Sequence, residues 1–308
     1  MYDIIPDIHG QSGKLNALLA RLGWHQGPSG WTNDEPNREI VFLGDFIDRG
    51  PDNTGVLKTV RDLMDAGKAH AVMGNHELNA IHFHTPDAET GLPLRKHSEK
   101  NLNQHASFLA EFPLEDTRTT ETINWMKSLP LFLEFGSFRA VHACWDDRVI
   151  EALSGLAPEG VLSEEQLQAA ARKGDALFDF VETTAKGPEV RLPEGYSFTD
   201  KGGVKRKDIR VKWWNADATT WREIATSVPD LSELPESSLP SDVSASVYPH
   251  TAKPVFFGHY WLTGRPELQA PKALCLDYSA GTDGPLVAYR LDAMASQIDL
   301  ANLLPHPG

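Results

Sequence analysis

GDFIDRG, residues 44–50, sets two aspartates three positions apart between glycines, and an arginine follows the second directly. Like charges this close repel, increasingly so once they leave water. A solvated turn with an ion pair is one reading of the stretch, and a cation site is the other. What precedes it points to the second. The apolar run EIVFL (39–43) reads as a strand, so Asp45 and Asp48 sit just past a strand's carboxyl end.

The same arrangement recurs outward from there. YDII (2–5) reads as a short buried strand. In KLNALLARLGW, Leu15, Leu18, Leu19 and Leu22 share one helical face, with Gly23 placed to end the helix. TGVLKTVRDLMDAG puts Val56, Leu57, Val60, Leu63 and Met64 on a second helical stripe ending at Gly67, and HAVM (70–73) reads as a third strand. Strand–helix–strand–helix–strand is the pattern of a parallel sheet.

Downstream, 98–129 reads as helical with a break at Pro113, and 131–143 returns to strand. A helix is expected over 163–182, capped by Ser163. The stretch 226–254, with five prolines and many serines, reads as loop. PVFFGH, ALCLDYS and PLVAYRL read as three closing strands. We expect one domain over 1–308, with 150–250 as an insertion or cap.

Composition narrows the function. The chain has 308 residues, is 41% hydrophobic and carries a formal net charge of -14. Such acidity argues against nucleic acid or an anionic membrane as partner, and an anionic substrate would need a local cluster of cations. The two cysteines, Cys144 and Cys275, form no CxxC pair, so no disulfide framework or thiolate zinc site is legible. The opening residues lack a basic leader, and no apolar run is long enough to span a bilayer. A soluble, cytoplasmic protein is the expectation.

The polar residues fall into register with the strands. Asp7 and His9 follow the first, Asp45 and Asp48 the second, Asn75 and His76 the third. His142 ends RAV, and His259 follows VFF. Open α/β sheets gather ligand-binding groups at these carboxyl ends. Aspartate, asparagine and histidine give an oxygen and nitrogen ligand set without thiolate, which suits manganese, iron or zinc rather than a calcium cage. Two neighbouring cations need a shared anionic ligand, and Asp45 is the choice for that bridge.

PDIHG (6–10), GDFIDRG (44–50), GNHE (74–77), His142 and GH (258–259) together resemble the calcineurin-like metallophosphoesterase signature. Asp-Arg-Gly after the bridging aspartate looks like its phosphoprotein phosphatase branch. The resemblance implies an α/β (α+β) fold, a four-layer α/β/β/α sandwich with the metal site at the carboxyl ends of the central strands. It also implies two divalent metal ions, with Mn2+ first and Fe or Zn as alternatives, and attack on phosphorus by a metal-bound hydroxide. Asp7, His9 and Asp45 would hold the first ion; Asp45, Asn75, His142 and His259 would hold the second. His76 would be the general acid, oriented by Asp48, and Arg49 would clamp phosphate oxygens.

The chain departs from that pattern at Pro6, at Met73 before GNHE, at Ala143-Cys144 after His142, and at GHYW, where no second histidine follows His259. The first ion would then have three protein ligands. His82 and His84 read as surface histidines beyond the site, His250 as a loop residue and Cys144 as a buried small one. The basic run 201–214, with Lys201, Lys205, Arg206, Lys207, Arg210 and Lys212, reads as a solvated hairpin leading into a strand. WWNAD resembles a segment near the site in the phosphatase branch, which makes Arg210 or Arg222 a second phosphate contact.

The expected substrate is a phosphorylated one, a phosphoprotein or a small phosphate ester. A serine/threonine phosphatase-like enzyme leads. A symmetrical dinucleoside polyphosphate hydrolase, favoured by Met73, is the alternative, and a non-catalytic metal-binding regulator is the third reading.

Overall fold

The structure is a computed structural model and describes residues 1–28, 30–200, 202–244 and 247–305. Two sheets form its centre. The first runs in the order Leu303–Pro305, Val287–Leu291, Tyr2–Ile5, Glu39–Phe42, Ala69–Ala71. Its last three strands are parallel, while Val287–Leu291 pairs antiparallel to Tyr2–Ile5. The second has the order Ala273–Cys275, Val255–Phe257, Arg139–Val141, Phe132–Glu134, the first three parallel.

These strands read as continuous apolar runs because both of their faces are covered. Ile4, Val41 and Val72 from the first sheet meet Ala140, Phe256 and Leu274 from the second in one inner core. The alternate residues Ile5, Phe42 and Ala71 face outward onto helices Ser12–Arg21 and Asn53–Asp65, through Leu15, Leu18, Leu19, Val56 and Val60. Val141, Val255 and Phe257 face outward on the other side, into the cluster that holds Ile150, Leu153, Leu167 and Val181. The result is the expected α/β/β/α sandwich.

Local departures from the sequence reading have local causes. The helix expected over 163–182 is two, Glu164–Ala170 and Ala176–Lys186, parted at Gly174, whose φ is +98°. The 98–129 stretch is three helices, breaking at His105 as well as at Pro113. The third strand is shorter than HAVM, covering Ala69–Ala71. A hairpin, Trp24–Gly27 with Gly30–Asn33, went unread because its polar strands lack apolar alternation.

The 150–250 segment divides. Helices Asp147–Leu156, Glu164–Ala170 and Ala176–Lys186 pack into the main core. Beyond them a small sheet, Ala225–Thr226, Asp208–Val211 and Glu189–Arg191, has its own core of Leu192, Phe198, Ile209, Val211, Trp221 and Leu234. The basic run lies there, with Lys205–Arg206 in a hairpin strand and Lys201 outside the described residues. Among the described residues no helix is long and apolar enough to cross a membrane.

Candidate metal centre and active site

The parallel strands Tyr2–Ile5, Glu39–Phe42 and Val255–Phe257 end in turns that the backbone makes only under constraint. His9, Asp45, Asp48, Arg49, His259 and Trp261 all have φ between +50° and +74°, the left-handed region that non-glycine residues avoid. Strain of this kind persists only where the surroundings hold it, and it concentrates at functional sites. Two glycines admit the crowding. Gly44 has φ +89°, and a Cβ there would stand 2.4 Å from Gly74 N. A Cβ on Gly258 would stand 1.9 Å from Asp7 Oδ2. Buried Glu77 ties two of the turns together, accepting from Asp45 N at 2.8 Å, Phe46 N at 2.8 Å and Gly74 N at 3.0 Å.

The imidazoles are fixed by carbonyls, and this decides their tautomers. His9 Nδ1 donates to Ile47 O at 3.0 Å, and His142 Nδ1 donates to Leu43 O at 2.7 Å. A carbonyl only accepts, so each ring carries its proton on Nδ1 and presents a bare Nε2 lone pair. Both lone pairs face one oxygen: Asp45 Oδ2 is 3.5 Å from His9 Nε2 and 3.5 Å from His142 Nε2. His142 Nε2 also faces Asn75 Oδ1 at 3.1 Å, and His259 Nδ1 lies 2.8 Å from the same oxygen. Buried acceptors turned on one another repel unless cations lie between them. Among the described residues His9 Nε2 and His259 Nε2 have no hydrogen-bond partner. The residues fit metal ions.

Charge says the same. Burial raises the Asp7 carboxyl well above its usual range, and nearby Asp277 and Asp45 push it further. Burial also pushes the Asp45 carboxyl up, whereas the surrounding histidines, His142 first, would pull it down wherever they carry a proton, and the net direction is down. Burial, with His76 adding to it, lowers His9 to about 3, so this ring is neutral and ready to ligate. Two compact groups of potential ligands result, His9–Asp45–His76 and Asp45–His142–His259, sharing Asp45. Asp7 lies outside both; its oxygens accept the backbone N–H of His259 at 3.0 and 3.2 Å.

His76 is close enough to be counted a ligand, but its partners argue otherwise. Its Nδ1 donates to Asp48 Oδ2 at 2.6 Å, and its Nε2 lies 3.4 Å from Arg49 Nη2. A guanidinium beside that nitrogen opposes a metal ion there. Burial lowers the His76 pKa, yet Asp45 and Asp48 outweigh it and the net direction is up. Asp48 is held near 2 despite burial, by hydrogen bonds from His105 and His76.

Three contributors escaped the sequence reading. His105 Nδ1 donates to the other Asp48 oxygen at 2.8 Å, and His84 Nε2 meets His105 Nε2 at 3.3 Å. No spacing marks His105, which lies in a helix-to-helix corner. Trp261 occupies the place where a second histidine was missed, and its ring lies 3.6 Å beneath the Arg49 guanidinium. Asp277 is buried and accepts Trp261 N at 2.7 Å. It follows strand Ala273–Cys275, so the strand-end rule that found the others could have found it.

His82 is not a surface residue: it is buried, and its Nε2 donates to Leu167 O at 3.1 Å. His84 is half-buried against His105. The two project from opposite sides of helix Asn75–His84, His82 onto Leu167 and His84 onto His105. Cys144 is buried as expected. Arg222 bonds Glu236 at 2.8 Å inside the small lobe. Arg210 is half-buried, its Nε has no partner, and its charge reaches His259. Trp213 Nε1 donates to Ala143 O at 2.9 Å, so WWNAD does pack behind His142.

A cleft of about 660 Å3 opens in front of Asp48, Arg49, Asn75 and His76. A more apolar cavity of about 340 Å3 lies beyond His84, and none of the ligand residues lines it.

Residues 2–154 match the family model for calcineurin-like phosphoesterases. A bis(5'-nucleosyl)-tetraphosphatase PrpE of the asymmetrical type from Oceanobacillus iheyensis is 45% identical over 74 residues, 24% of this chain and 29% of that protein. A symmetrical bis(5'-nucleosyl)-tetraphosphatase from Chromohalobacter salexigens is 28% identical over 184 residues, 58% of this chain and 54% of that protein. The matches thus span from under a third to about half of these relatives. A cold-active protein-tyrosine phosphatase from a Shewanella species superposes with TM-score 0.50 at 17% identity, over 94% of this chain and 75% of that one. That likeness concerns the fold.

Proposed function

We propose that this chain, whose residues 2–154 match the family model for calcineurin-like phosphoesterases, is a metal-dependent hydrolase of phosphate esters and anhydrides, with a dinucleoside polyphosphate as its substrate. The observation that carries the reading is the pairing of a buried acceptor cluster with an acid beside it. Asp45 Oδ2 faces two bare imidazole nitrogens, and His76, bonded to Asp48, stands at the rim of the same cluster.

Asp7, His9 and Asp45 would hold one divalent cation, and Asp45, Asn75, His142 and His259 the other. Manganese is the first choice, because the ligand set is mixed oxygen and nitrogen. When bound, such ions neutralise phosphoryl oxygens and make water a stronger nucleophile. The chain's own residues supply the rest. Arg49, braced on Trp261, presents its guanidinium to the phosphoryl oxygens. Approach of the phosphate draws Arg49 off His76 Nε2, and the ring carries a proton there. His76 Nε2 then protonates the leaving oxygen, while Asp48 and His105 hold the imidazolium in place.

The substrate class rests on the names of the relatives and on the cleft. Apart from the His76 imidazole its lining contains no aromatic ring, and Ala106 is its one apolar side chain, which suits a phosphate chain. A phosphoserine/threonine phosphatase would use the same acid and metals, whereas a non-catalytic metal-binding regulator would have no use for the His76–Asp48 pair. The deciding experiment is a panel of kcat/KM values for manganese-loaded protein with diadenosine tetraphosphate, phosphopeptides and p-nitrophenyl phosphate. The tetraphosphate should rank first. A phosphopeptide in first place overturns the substrate class, and turnover of none of them overturns the activity.

A further inference from the structure

Among the described residues Arg95 has no carboxylate partner. It lies between helix Asn75–His84 and helix Glu99–Gln104, half-buried, with its backbone N–H bonded to His82 O at 2.9 Å. Its guanidinium donates to two neutral oxygens, Asn101 Oδ1 at 3.1 Å and Gln104 Oε1 at 2.8 Å. The acids its charge feels, Asp48 and Glu182, form no ion pair with it. Asp48 is taken by His76 and His105, and Glu182 by Lys186.

The chain has 43 acidic and 29 basic residues, and Arg61, Arg118, Arg210 and Arg265 share with Arg95 the lack of a carboxylate partner among the described residues. Arg38, Arg139, Arg191, Arg206, Arg222 and Arg290 all have carboxylate partners. The two arginines that line the cleft, Arg49 and Arg95, have none among the described residues. Both face one space with His76 on its wall. Asn79, Asn103 and Thr282 add neutral polar groups, and the buried Ser107 Oγ at the same wall has no partner. Planar guanidinium and short polar side chains are what tetrahedral oxyanions bind.

We propose that Arg95 forms a second anion subsite, which binds the phosphoryl group next to the scissile one in a phosphoanhydride chain. The inference rests on the phosphoesterase reading for its first subsite, at Arg49. Arg95 sets specificity for chain length, and the scissile phosphoryl group itself touches Arg49 and His76. The arginine is preorganised by Asn101 and Gln104, so a second phosphate meets a fixed donor pair.

The test compares inorganic phosphate and pyrophosphate as ligands by calorimetric titration at a fixed free manganese concentration. Wild-type protein is set beside Arg95→Gln, Arg95→Lys and Arg49→Gln. Arg95→Gln should weaken pyrophosphate by about tenfold or more, the scale of one lost charge-assisted contact, and leave phosphate unchanged. Arg95→Lys should recover part of the loss, and Arg49→Gln should weaken both ligands. In turnover, Arg95→Gln should raise KM for diadenosine tetraphosphate and spare p-nitrophenyl phosphate.

Equal effects of Arg95→Gln on phosphate and pyrophosphate overturn the subsite. So does a loss confined to an acidic phosphopeptide that spares pyrophosphate. If wild-type protein turns over no ester yet pyrophosphate still depends on Arg95, the activity reading fails and the subsite stands.

Discussion

His76 and Asp48 are joined by a 2.6 Å hydrogen bond between Nδ1 and Oδ2, with both side chains nearly buried. That bond gives the two close aspartates different tasks. Asp45 faces the bare histidine nitrogens, and Asp48 faces a histidine that must carry a proton. Three residues apart, on one strained turn, they do opposite things.

The acid role of His76 has a kinetic signature. A positioned general acid contributes roughly 10²–10⁴-fold, and more for a poor leaving group than for a good one. His76→Asn should keep its metals and fold, lose most of kcat on an alkyl phosphate, and lose less on p-nitrophenyl phosphate. Asp48→Asn should show a milder form of the same pattern. Equal losses across leaving groups would mean that His76 is not the acid.

His105 acts only through Asp48, so its removal should be gentler and separable. It is buried and stacks on Phe108 at 4.7 Å, so His105→Phe preserves the packing and removes one donor to the carboxylate. The expected result is a fall in kcat of about tenfold, the scale of a hydrogen bond to a charged group, with KM and metal content unchanged. His105→Asn, which restores a donor, should regain activity. A variant that lost metal or melted early would instead make His105 a packing residue.

The parts legible in sequence were those with a period or a repeated context. Alternating strands and helices exposed the sheet, and strand ends exposed Asp7, Asp45, Asn75, His142 and His259. His105 was invisible because it reaches Asp48 across 57 residues from a corner between two short helices. Arg95 and Trp261 sit in irregular backbone, where no pattern assigns a direction to a side chain. The small lobe's core was missed because its strands are two to four residues long. His82 was misplaced because helical phase alone does not say that a second layer covers that face.

The misplaced histidine gives a pH prediction. Burial, with Lys186 nearby, lowers the His82 pKa to about 4, against an ordinary value near 6.5. Between those values the unfolded chain holds a proton that the folded chain does not. Stability from this residue is therefore fully present above the upper value and is lost as pH falls through the window, by up to roughly 3 kcal/mol. His82→Gln keeps the donor to Leu167 O without a titrating ring. Melting curves at pH 7 and pH 4.5 should show a smaller acid loss for this variant than for wild-type protein. Parallel losses would assign the acid sensitivity elsewhere.

Asp45 would be shared by two cation sites, and the measurement that tests this sharing is electron paramagnetic resonance of manganese-loaded protein beside elemental analysis. Wild-type protein should bind two manganese ions and show the spectrum of a spin-coupled pair. Asp45→Asn should lose the coupling and part of the metal, while His82→Gln retains both. Two fully occupied, still coupled ions in Asp45→Asn would contradict the bridge.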